Sequence, residues 1–166
     1  SPEEAQQAGY VPCKVCNPPA SGNNTQNTSQ VLIYSKNYHL CCRVVDGDTI
    51  VVDIDGVCEK VRLVGVDTPE TVHPNKPVEH YGKEASAFTR NMVEGEMVRL
   101  EYDTQRRDRY GRLLAYVYLP DGTFLNAEII KQGYGFAYTR FPFKYMDQFR
   151  QYERSARESG AGLWAK

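Results

Sequence analysis

Two short acidic clusters carry the side chains best suited to chemistry in this sequence. The first is Asp46-Gly47-Asp48-Thr49 and the second is Asp67-Thr68-Pro69-Glu70. One predicted hairpin, turning at Asp55-Gly56, separates them, so the chain goes out and returns and the clusters can meet at one end of a sheet. Two carboxylates about 5 Å apart repel by roughly 3 kcal/mol at an effective dielectric near 20, so the pair needs a cation or shifted pKa values. Oxygen ligands without a nearby cysteine or imidazole favour Ca²⁺, Mg²⁺ or Mn²⁺ over zinc.

Arg62 and Arg112 are the residues best suited to bind a phosphate beside such a cation. Arg62 lies in an apolar strand, and Arg112 ends the predicted turn Asp108-Arg109-Tyr110-Gly111-Arg112. Guanidinium groups bind phosphate oxygens in bidentate fashion and stabilise the charge that builds when a further oxygen approaches phosphorus. Two arginines beside a carboxylate-bound cation would therefore form a site for a phosphate ester.

Each of these features also has a purely structural interpretation. Asp46-Gly47 is typical of a tight turn, and Asp67-Thr68-Pro69-Glu70 has the cap, proline and early acid of a helix start. Arg62 and Arg112 could each form an ordinary salt bridge. Only the joint occurrence of acids and arginines favours the functional interpretation.

Composition limits the class of protein. The chain has 166 residues, 41% of them hydrophobic and 25% charged, which predicts one domain with a short appendage. No apolar run approaches the roughly 18 residues that a bilayer span needs, so we expect no membrane partner. The net charge of -1 does not favour a polyanion, but five arginines and three acids between Arg99 and Arg112 give a local basic cluster. Nothing indicates an obligate dimer, so we expect a monomer.

The order of apolar runs and turns predicts an α+β fold. Asp-Gly turns separate about five strands, and apolar residues at spacings of three and four mark helices. The predicted strands are Leu32 to Val45, Thr49 to Ile54, Val57 to Val66, Met97 to Tyr102 and Leu113 to Leu119. The predicted helices are Tyr81 to Val93, Asn126 to Gln132 with Asn126 as its cap, and about Tyr145 to Glu158. We therefore expect a small barrel capped by three helices over residues 31–166.

Residues 1–30 are predicted to be a tail or linker. The stretch from Asn17 to Gln30 has too few apolar residues to order itself. Because the chain begins at Ser1 without a methionine or a secretion signal, we expect a processed product or a piece of a longer protein. The pair Cys13-Lys14-Val15-Cys16 resembles the trailing half of a small metal module; a Cys13–Cys16 disulfide and free thiols are the alternatives. Cys41, Cys42 and Cys58 are expected to be buried strand residues, with adjacent Cys41 and Cys42 facing opposite ways.

Two long motifs resemble those of the staphylococcal nuclease (thermonuclease) family. The first runs from Val45-Asp46-Gly47-Asp48-Thr49 to Arg62-Leu63-Val64-Gly65-Val66-Asp67-Thr68-Pro69-Glu70. The second is Asp108-Arg109-Tyr110-Gly111-Arg112-Leu113-Leu114-Ala115-Tyr116-Val117-Tyr118. The similarity extends from about Leu32 to Trp164 and implies an OB-fold barrel with three helices. It also implies calcium-dependent hydrolysis of DNA and RNA at the 5′ P–O bond, leaving 3′-phosphate ends, on single-stranded or frayed substrate.

The resemblance assigns a role to each matching residue. It implies that one calcium ion is bound by the carboxylates of Asp48 and Asp67 and the backbone carbonyl of Thr68. It implies that Glu70 orients or deprotonates the attacking water, that Arg62 and Arg112 hold the phosphate, that Arg109 and Tyr110 bind a neighbouring phosphate, and that Tyr138 lines the nucleotide pocket. Asp46 is expected to hold the turn or the waters of the metal. The family also makes a secreted or cell-envelope location plausible.

The sequence departs from the family pattern beside the predicted pocket. It reads Thr139-Arg140-Phe141 where a second pocket tyrosine is expected, so base preference is left open. The competing functional hypothesis is a nuclease-like barrel that binds nucleic acid or protein with little or no cleavage. A third is a metal-binding interaction domain centred on Cys13 and Cys16.

Overall fold

Four strands precede the first helix in the part of the chain that the computed structural model describes, residues 37–166. The strands are β1 (Tyr38–Asp46), β2 (Thr49–Ile54), β3 (Val57–Leu63), β4 (Val66–Asp67), β5 (Met97–Arg107), β6 (Leu113–Tyr118) and β7 (Phe136–Ala137). The helices are α1 (Gly82–Val93), α2 (Leu125–Lys131) and α3 (Met146–Ser159), followed by a single 3₁₀ turn, Gly162–Trp164. Within residues 37–166, no helix combines the length and the apolar character that crossing a bilayer requires.

Five of the strands close into a barrel in the order β1-β2-β3-β6-β5. Strands β3 and β6 pair in parallel, the other neighbours pair antiparallel, and β1 pairs with β5 to close the barrel. The short strands β4 and β7 form a separate two-stranded sheet. The predicted α+β class, with a five-stranded OB-like barrel and three helices, is confirmed.

Alternate side chains of the strands fill the barrel. Ile50 and Val52 of β2 and Val61 of β3 are fully buried there, together with Ile129 of α2 and Phe149 of α3. Each such side chain contributes about 1.5 to 3 kcal/mol by leaving water. The two later helices therefore fix the barrel and, with it, the strand ends that carry the acidic clusters.

Several predicted boundaries are wrong. Strand β3 ends at Leu63 rather than Val66, because Gly65 makes a turn with φ of +75°. A Cβ atom at Gly65 would lie 2.6 Å from the ring of Phe143, so a side chain would not fit there. The alternative interpretation of Asp67-Thr68-Pro69-Glu70 as a helix start is also wrong, since the first helix after it is α1, which begins at Gly82, one residue after the predicted Tyr81. The start of the first strand at Leu32 and the boundary at residues 30 and 31 lie outside the described residues.

Asn126 is not the cap of helix α2, which begins one residue earlier at Leu125. Its side chain is fully buried and serves the barrel instead. The amide oxygen accepts a hydrogen bond from Val117 N at 2.9 Å, and Nδ2 donates to the carbonyls of Val64 at 2.9 Å and Ala115 at 3.2 Å. The asparagine thus joins strand β6 to the β3–β4 turn, a role that local sequence does not reveal.

Candidate active site

The β1–β2 hairpin and strand β4 bring the two acidic clusters together. Arg62 Nη2 lies 3.2 Å from Asp48 Oδ2 and 3.6 Å from Asp67 Oδ1, so one guanidinium contacts both carboxylates. The side chain of Asp48 is 10% exposed, whereas that of Asp67 is 53% exposed. The pair therefore has one buried member and one that faces solvent, where a ligand can reach it.

Arg62 is held firmly by the backbone around it. Its Nη1 donates hydrogen bonds to the carbonyls of Leu63 at 2.9 Å and Val66 at 2.6 Å. These bonds fix the guanidinium on the turn between β3 and β4. The salt-bridge interpretation of Arg62 and the functional one are thus compatible, because the same group offsets the repulsion between the two acids.

Thr68 packs against the turn that carries Asp48. Its backbone N–H donates to Asp48 Oδ2 at 3.0 Å, and its side chain fills the space beside Gly47. A Cβ atom at Gly47 would lie 2.7 Å from Thr68 Oγ1, which explains the glycine at this turn. The hydroxyl of Thr89 on α1 donates to the Gly47 carbonyl at 2.6 Å and locks the turn from the other side. Thr68 Oγ1 itself is buried and makes no hydrogen bond within residues 37–166.

Asp46 is buried behind this pair. Its Oδ1 accepts hydrogen bonds from Gly47 N at 2.8 Å and Thr71 Oγ1 at 2.7 Å. Burial raises the pKa of Asp46 to about 6, and the charge of Asp48 adds to the rise against those two hydrogen bonds. Burial, and then the charge of Asp48, also raise the pKa of Asp67, while Arg62 acts in the opposite direction. Negative charge is therefore crowded at this end of the barrel.

Glu70 has the opposite electrostatic character. The backbone N–H of Val72 lowers its pKa most; the neighbouring carboxyl group of Asp46, whose own pKa is raised, and the backbone N–H of Thr71 lower it further. Its Oε1 accepts from Thr71 N at 3.0 Å and Val72 N at 2.9 Å, which fixes the carboxylate. Its charge also contributes to the raised pKa of Asp67, so the two acids are neighbours. Glu70 is thus an oriented, ionised carboxylate beside the acid pair.

Arg112 is positioned by Asp108 in the turn between β5 and β6. Its Nε lies 2.7 Å from Asp108 Oδ2, and the backbone N–H donates to Asp108 Oδ1 at 3.0 Å. Neither terminal amino group of Arg112 makes a hydrogen bond within the described part of the chain. Arg109 Nη2 donates to the hydroxyl of Tyr110 at 2.7 Å, and the Tyr110 ring is 68% exposed. The turn thus presents two guanidiniums and one ring.

A cavity of about 840 Å³ joins these groups. Its wall includes all five predicted phosphate and nucleotide ligands, namely Arg62, Arg109, Tyr110, Arg112 and Tyr138. Arg140 and Phe141, which stand where the family pattern differs, also line it. Asp48, Asp67, Thr68 and Glu70 are not part of the wall. Asp48 and Asp67 adjoin it through Arg62, Thr68 bonds to Asp48, and the charge of Glu70 acts on Asp67. The structure therefore places the predicted residues in one continuous region.

Side chains of this region supply only some of the oxygen ligands that a hard cation needs. Among the described residues, no three side chains of the types Asp, Glu, His or Cys converge into a metal-binding group. Asp48 and Asp67 supply two carboxylates, so a cation there would also need backbone oxygen and water. Ca²⁺ accepts such mixed oxygen ligands, and the donor set is compatible with it.

Two supporting residues were missed by the sequence interpretation. Thr89 follows Ala85 by one helical turn. A polar residue on this apolar stripe of the predicted helix indicates a buried hydrogen bond, so the sequence did contain a signal for Thr89. Glu79 makes two hydrogen bonds with Glu70. Glu70 N donates to Glu79 Oε2 at 2.9 Å, and Glu79 N donates to the Glu70 carbonyl at 2.9 Å. No local pattern marks Glu79, because the contact depends on the path of the loop before α1.

Comparison with known proteins identifies the class to which this barrel and site belong. The family model described as "Staphylococcal nuclease homologue" matches residues 60–166, and the chain belongs to the staphylococcal nuclease family. The thermonuclease of Staphylococcus hyicus is 48% identical over 124 residues, which cover 74% of this chain and 73% of that protein. The thermonuclease of Staphylococcus intermedius is 47% identical over 129 residues, covering 77% and 76%. Endonuclease YncB of Bacillus subtilis is 44% identical over 127 residues, covering 75% and 60%.

Proposed function

We propose that this chain, a nuclease of the staphylococcal nuclease family, is a calcium-dependent phosphodiesterase acting on DNA and RNA. In this proposal it hydrolyses the 5′ P–O bond and leaves 3′-phosphate ends. One observation carries it: the guanidinium of Arg62 contacts both Asp48 and Asp67 at the edge of a cavity whose wall includes Arg112. A carboxylate pair beside two arginines suits a cation and a phosphate ester together. The bond cleaved and the product ends rest on the family resemblance.

Asp48, Asp67 and the carbonyl of Thr68 are the groups that we propose as calcium ligands. Burial raises the pKa of Asp67, and the negative charges of Asp48, Glu79 and Glu70 add to the rise. A cation at this place would offset those charges, which supports the proposal. Three protein oxygens leave room among the six to eight ligands of Ca²⁺ for water and for a phosphate oxygen. When bound, the calcium ion supplies charge neutralisation and a template for the phosphate.

Arg62 and Arg112 are proposed to stabilise the negative charge that develops on the phosphate oxygens. Arg62 is fixed by two backbone carbonyls and Arg112 by Asp108, so neither guanidinium has to be ordered when substrate arrives. Groups that are oriented in advance stabilise a transition state without a reorganisation cost. Arg109 and Tyr110, which contact each other at the outer rim, would bind a neighbouring phosphate.

Glu70 is proposed to orient the attacking water. Its lowered pKa keeps it ionised at neutral pH, so it can accept a hydrogen bond from water. The same low pKa makes it a weak base, since a general base works best with a pKa near the working pH. Orientation of the water is therefore its main proposed contribution, and its carboxylate accepts the proton of the water as the new P–O bond forms.

Exposed rings around the cavity support a preference for unpaired strands. Phe141 is 64% and Tyr138 is 36% exposed, and their ring centroids are 6.4 Å apart. Unpaired bases stack on such rings, whereas paired bases in a duplex are already stacked. We therefore propose single-stranded or frayed nucleic acid as the preferred substrate.

Digestion of a single-stranded oligonucleotide tests the proposal. Activity should disappear with chelator and return with added calcium. The Glu70→Gln variant should lower kcat by about 100-fold to 1,000-fold, while the control Glu84→Gln, an exposed acid in the first turn of α1, should leave it unchanged. Cleavage that continues without metal would contradict the calcium role, and tight binding without cleavage at millimolar calcium would favour the binding-module hypothesis.

The product ends need a separate measurement. Fragments with 3′-phosphates are extended by a DNA polymerase only after phosphatase treatment. Extension without phosphatase would show 3′-hydroxyl ends and would overturn the proposed bond of cleavage.

A further inference from the structure

Three side chains form a small apolar patch on the outside of the barrel, where β1, β2 and β3 lie side by side. We call Cys42, Val51 and Cys58 the outer cysteine patch. Val51 points away from the barrel interior, since its neighbours Ile50 and Val52 point in, yet it is only 3% exposed. It packs with Cys42, Val45 and Cys58 apart from the main core. A buried valine on an outward face needs a cover.

The cysteines of the patch are oxidised. Cys42 and Cys58 are each disulfide-bonded; both lie in strands, as expected, but they are only partly buried. Cys41 points into the barrel as a free thiol, and burial raises its pKa to about 12. Cys41 and Cys42 thus face opposite sides of β1, as predicted.

A bond between Cys42 and Cys58 conflicts with the sheet. Strand β2 pairs with both β1 and β3 and therefore lies between the two cysteines. Strands two positions apart are separated by roughly 9 to 10 Å, while a disulfide needs Cα atoms within about 7 Å. The register adds to this distance, because Cys42 lies in the bulge opposite Val51 and Cys58 pairs with Asp53, two residues further along β2.

The sequence contains five cysteines, and only Cys13 and Cys16 remain as partners within the chain. We propose that these two cysteines form separate disulfides with Cys42 and Cys58 and dock the segment around them over the outer cysteine patch. Cys13 and Cys16 lie outside the described residues, so the metal-module hypothesis for them is untested; the proposed bonds would consume both thiols.

The dimensions of the chain agree with this docking. Two residues separate Cys13 from Cys16, so their Cα atoms can be up to roughly 10 Å apart. That span matches the separation of β1 and β3, and the pair can cross β2 with one cysteine above each outer strand. The 21 residues between Cys16 and Tyr38 extend far enough to allow it. The apolar residues beside the pair, Val11 and Val15, are available to cover Val51.

The docked segment would lie away from the active site. Cys58 pairs with Asp53, whereas Arg62 pairs with Thr49 at the other end of the same two strands. Four residues of strand correspond to roughly 13 Å. Each disulfide forms when two thiols lose two electrons and two protons to an external oxidant, a small-molecule disulfide or a thiol oxidase. Because such bonds persist in oxidising compartments, the proposal also requires that the protein functions outside a reducing cytosol.

Tryptic mapping of the unreduced protein tests the pairing directly. Trypsin places the four relevant cysteines on four peptides, because Lys14, Lys36, Arg43 and Lys60 separate them. After free thiols are alkylated in denaturant, peptides 1–14 and 15–36 should each be linked to one of 37–43 and 44–60, with one alkylated cysteine on 37–43. A link between 37–43 and 44–60, between 1–14 and 15–36, or between two copies of the chain would overturn the proposal. So would alkylation of all five cysteines.

A double variant, Cys13→Ser with Cys16→Ser, tests the docking. Three free thiols should then react in denaturant instead of one, and the Tm should fall by about 5 °C or more. Cleavage of single-stranded DNA below the melting range should stay within twofold, because the patch lies outside the site. Reduction of the unmodified protein should produce the same fall in Tm and should not lower the Tm of the double variant further. An unchanged Tm in the double variant would show that the segment does not stabilise the barrel and would overturn the docking.

Discussion

Replacement of Tyr116 by phenylalanine should destabilise the wall of the cavity, because it removes one hydrogen bond. Tyr116 is fully buried on β6, and its hydroxyl donates a short hydrogen bond to Asp103 Oδ2 on β5. The same oxygen accepts from Lys144 N at 2.9 Å and so ties the segment before α3 to the barrel. That segment includes Phe141 and Phe143 of the cavity wall. The Tyr116→Phe change removes one oxygen atom from this junction.

The expected cost follows from the charge of the acceptor. A hydrogen bond to a charged group contributes about 1.5 to 3 kcal/mol, against about 0.5 to 1.5 kcal/mol for a neutral pair. Tyr116→Phe should therefore lower the free energy of unfolding by about 2 kcal/mol at pH 7, as measured by urea denaturation in the presence of chelator.

The cost should also depend on pH in a defined direction. Burial alone would raise the pKa of Asp103, but hydrogen bonds from Tyr116, Lys144 N and Thr104 hold it at about 2, below its ordinary value of 3.8. Because the folded pKa is depressed, this stabilisation is complete above about pH 4 and is lost as the pH falls towards 2. The difference between the two proteins should therefore shrink between pH 4 and pH 2.

Tyr118→Phe provides a matched control on the same strand. The hydroxyl of Tyr118 donates to the hydroxyl of Tyr145 at 3.2 Å, so the same chemical change removes a bond between neutral groups. It should cost about 1 kcal/mol, with a smaller dependence on pH than Tyr116→Phe, because the nearest carboxylate, Glu101, bonds to Tyr145 and not to Tyr118 itself. Equal costs for the two variants at pH 7, or a Tyr116→Phe cost that persists unchanged at low pH, would refute the reasoning.

Three further substitutions test the site and its support. Gly47→Ala should displace Thr68, because the new Cβ would lie 2.7 Å from Thr68 Oγ1. Calorimetric titration should then show calcium binding weakened about tenfold. Unchanged calcium binding would contradict the assignment of Thr68 as a ligand. Asn126→Ala should lower the free energy of unfolding by about 2 to 4 kcal/mol, because it leaves buried backbone groups without partners; a loss under about 1 kcal/mol in urea would be inconsistent with this. Phe141→Ala should raise KM for single-stranded DNA by at least about fivefold with little change in kcat, and an unchanged KM would exclude base stacking on this ring.

Local patterns in the sequence predicted much of the fold. Strand β2 has the predicted bounds, Thr49 to Ile54, and β6 ends one residue before the prediction. Alternation of apolar residues and Asp-Gly turns are effects of neighbouring residues, so they can be read without knowledge of the fold. The two acidic clusters were also expected to meet, since one hairpin separates them.

Long-range contacts decided what the sequence left open. Whether Arg62 serves as a salt bridge or an anion ligand depends on Asp48 and Asp67, which only closure of the barrel brings within 3.2 Å and 3.6 Å of its Nη2. Asn126 carries the signature of a helix cap but instead bonds to three distant backbone groups. Those groups are buried and cannot bond to water, so they need a partner within the protein.

The chain by itself therefore determined the residue types, their spacing and the strands that carry them. Only the tertiary structure determined the charge balance of the site, the support at Glu79, and the oxidised state of Cys42 and Cys58. These properties depend on residues tens of positions apart, whose distances are set when the barrel packs and not by the pattern around any one of them.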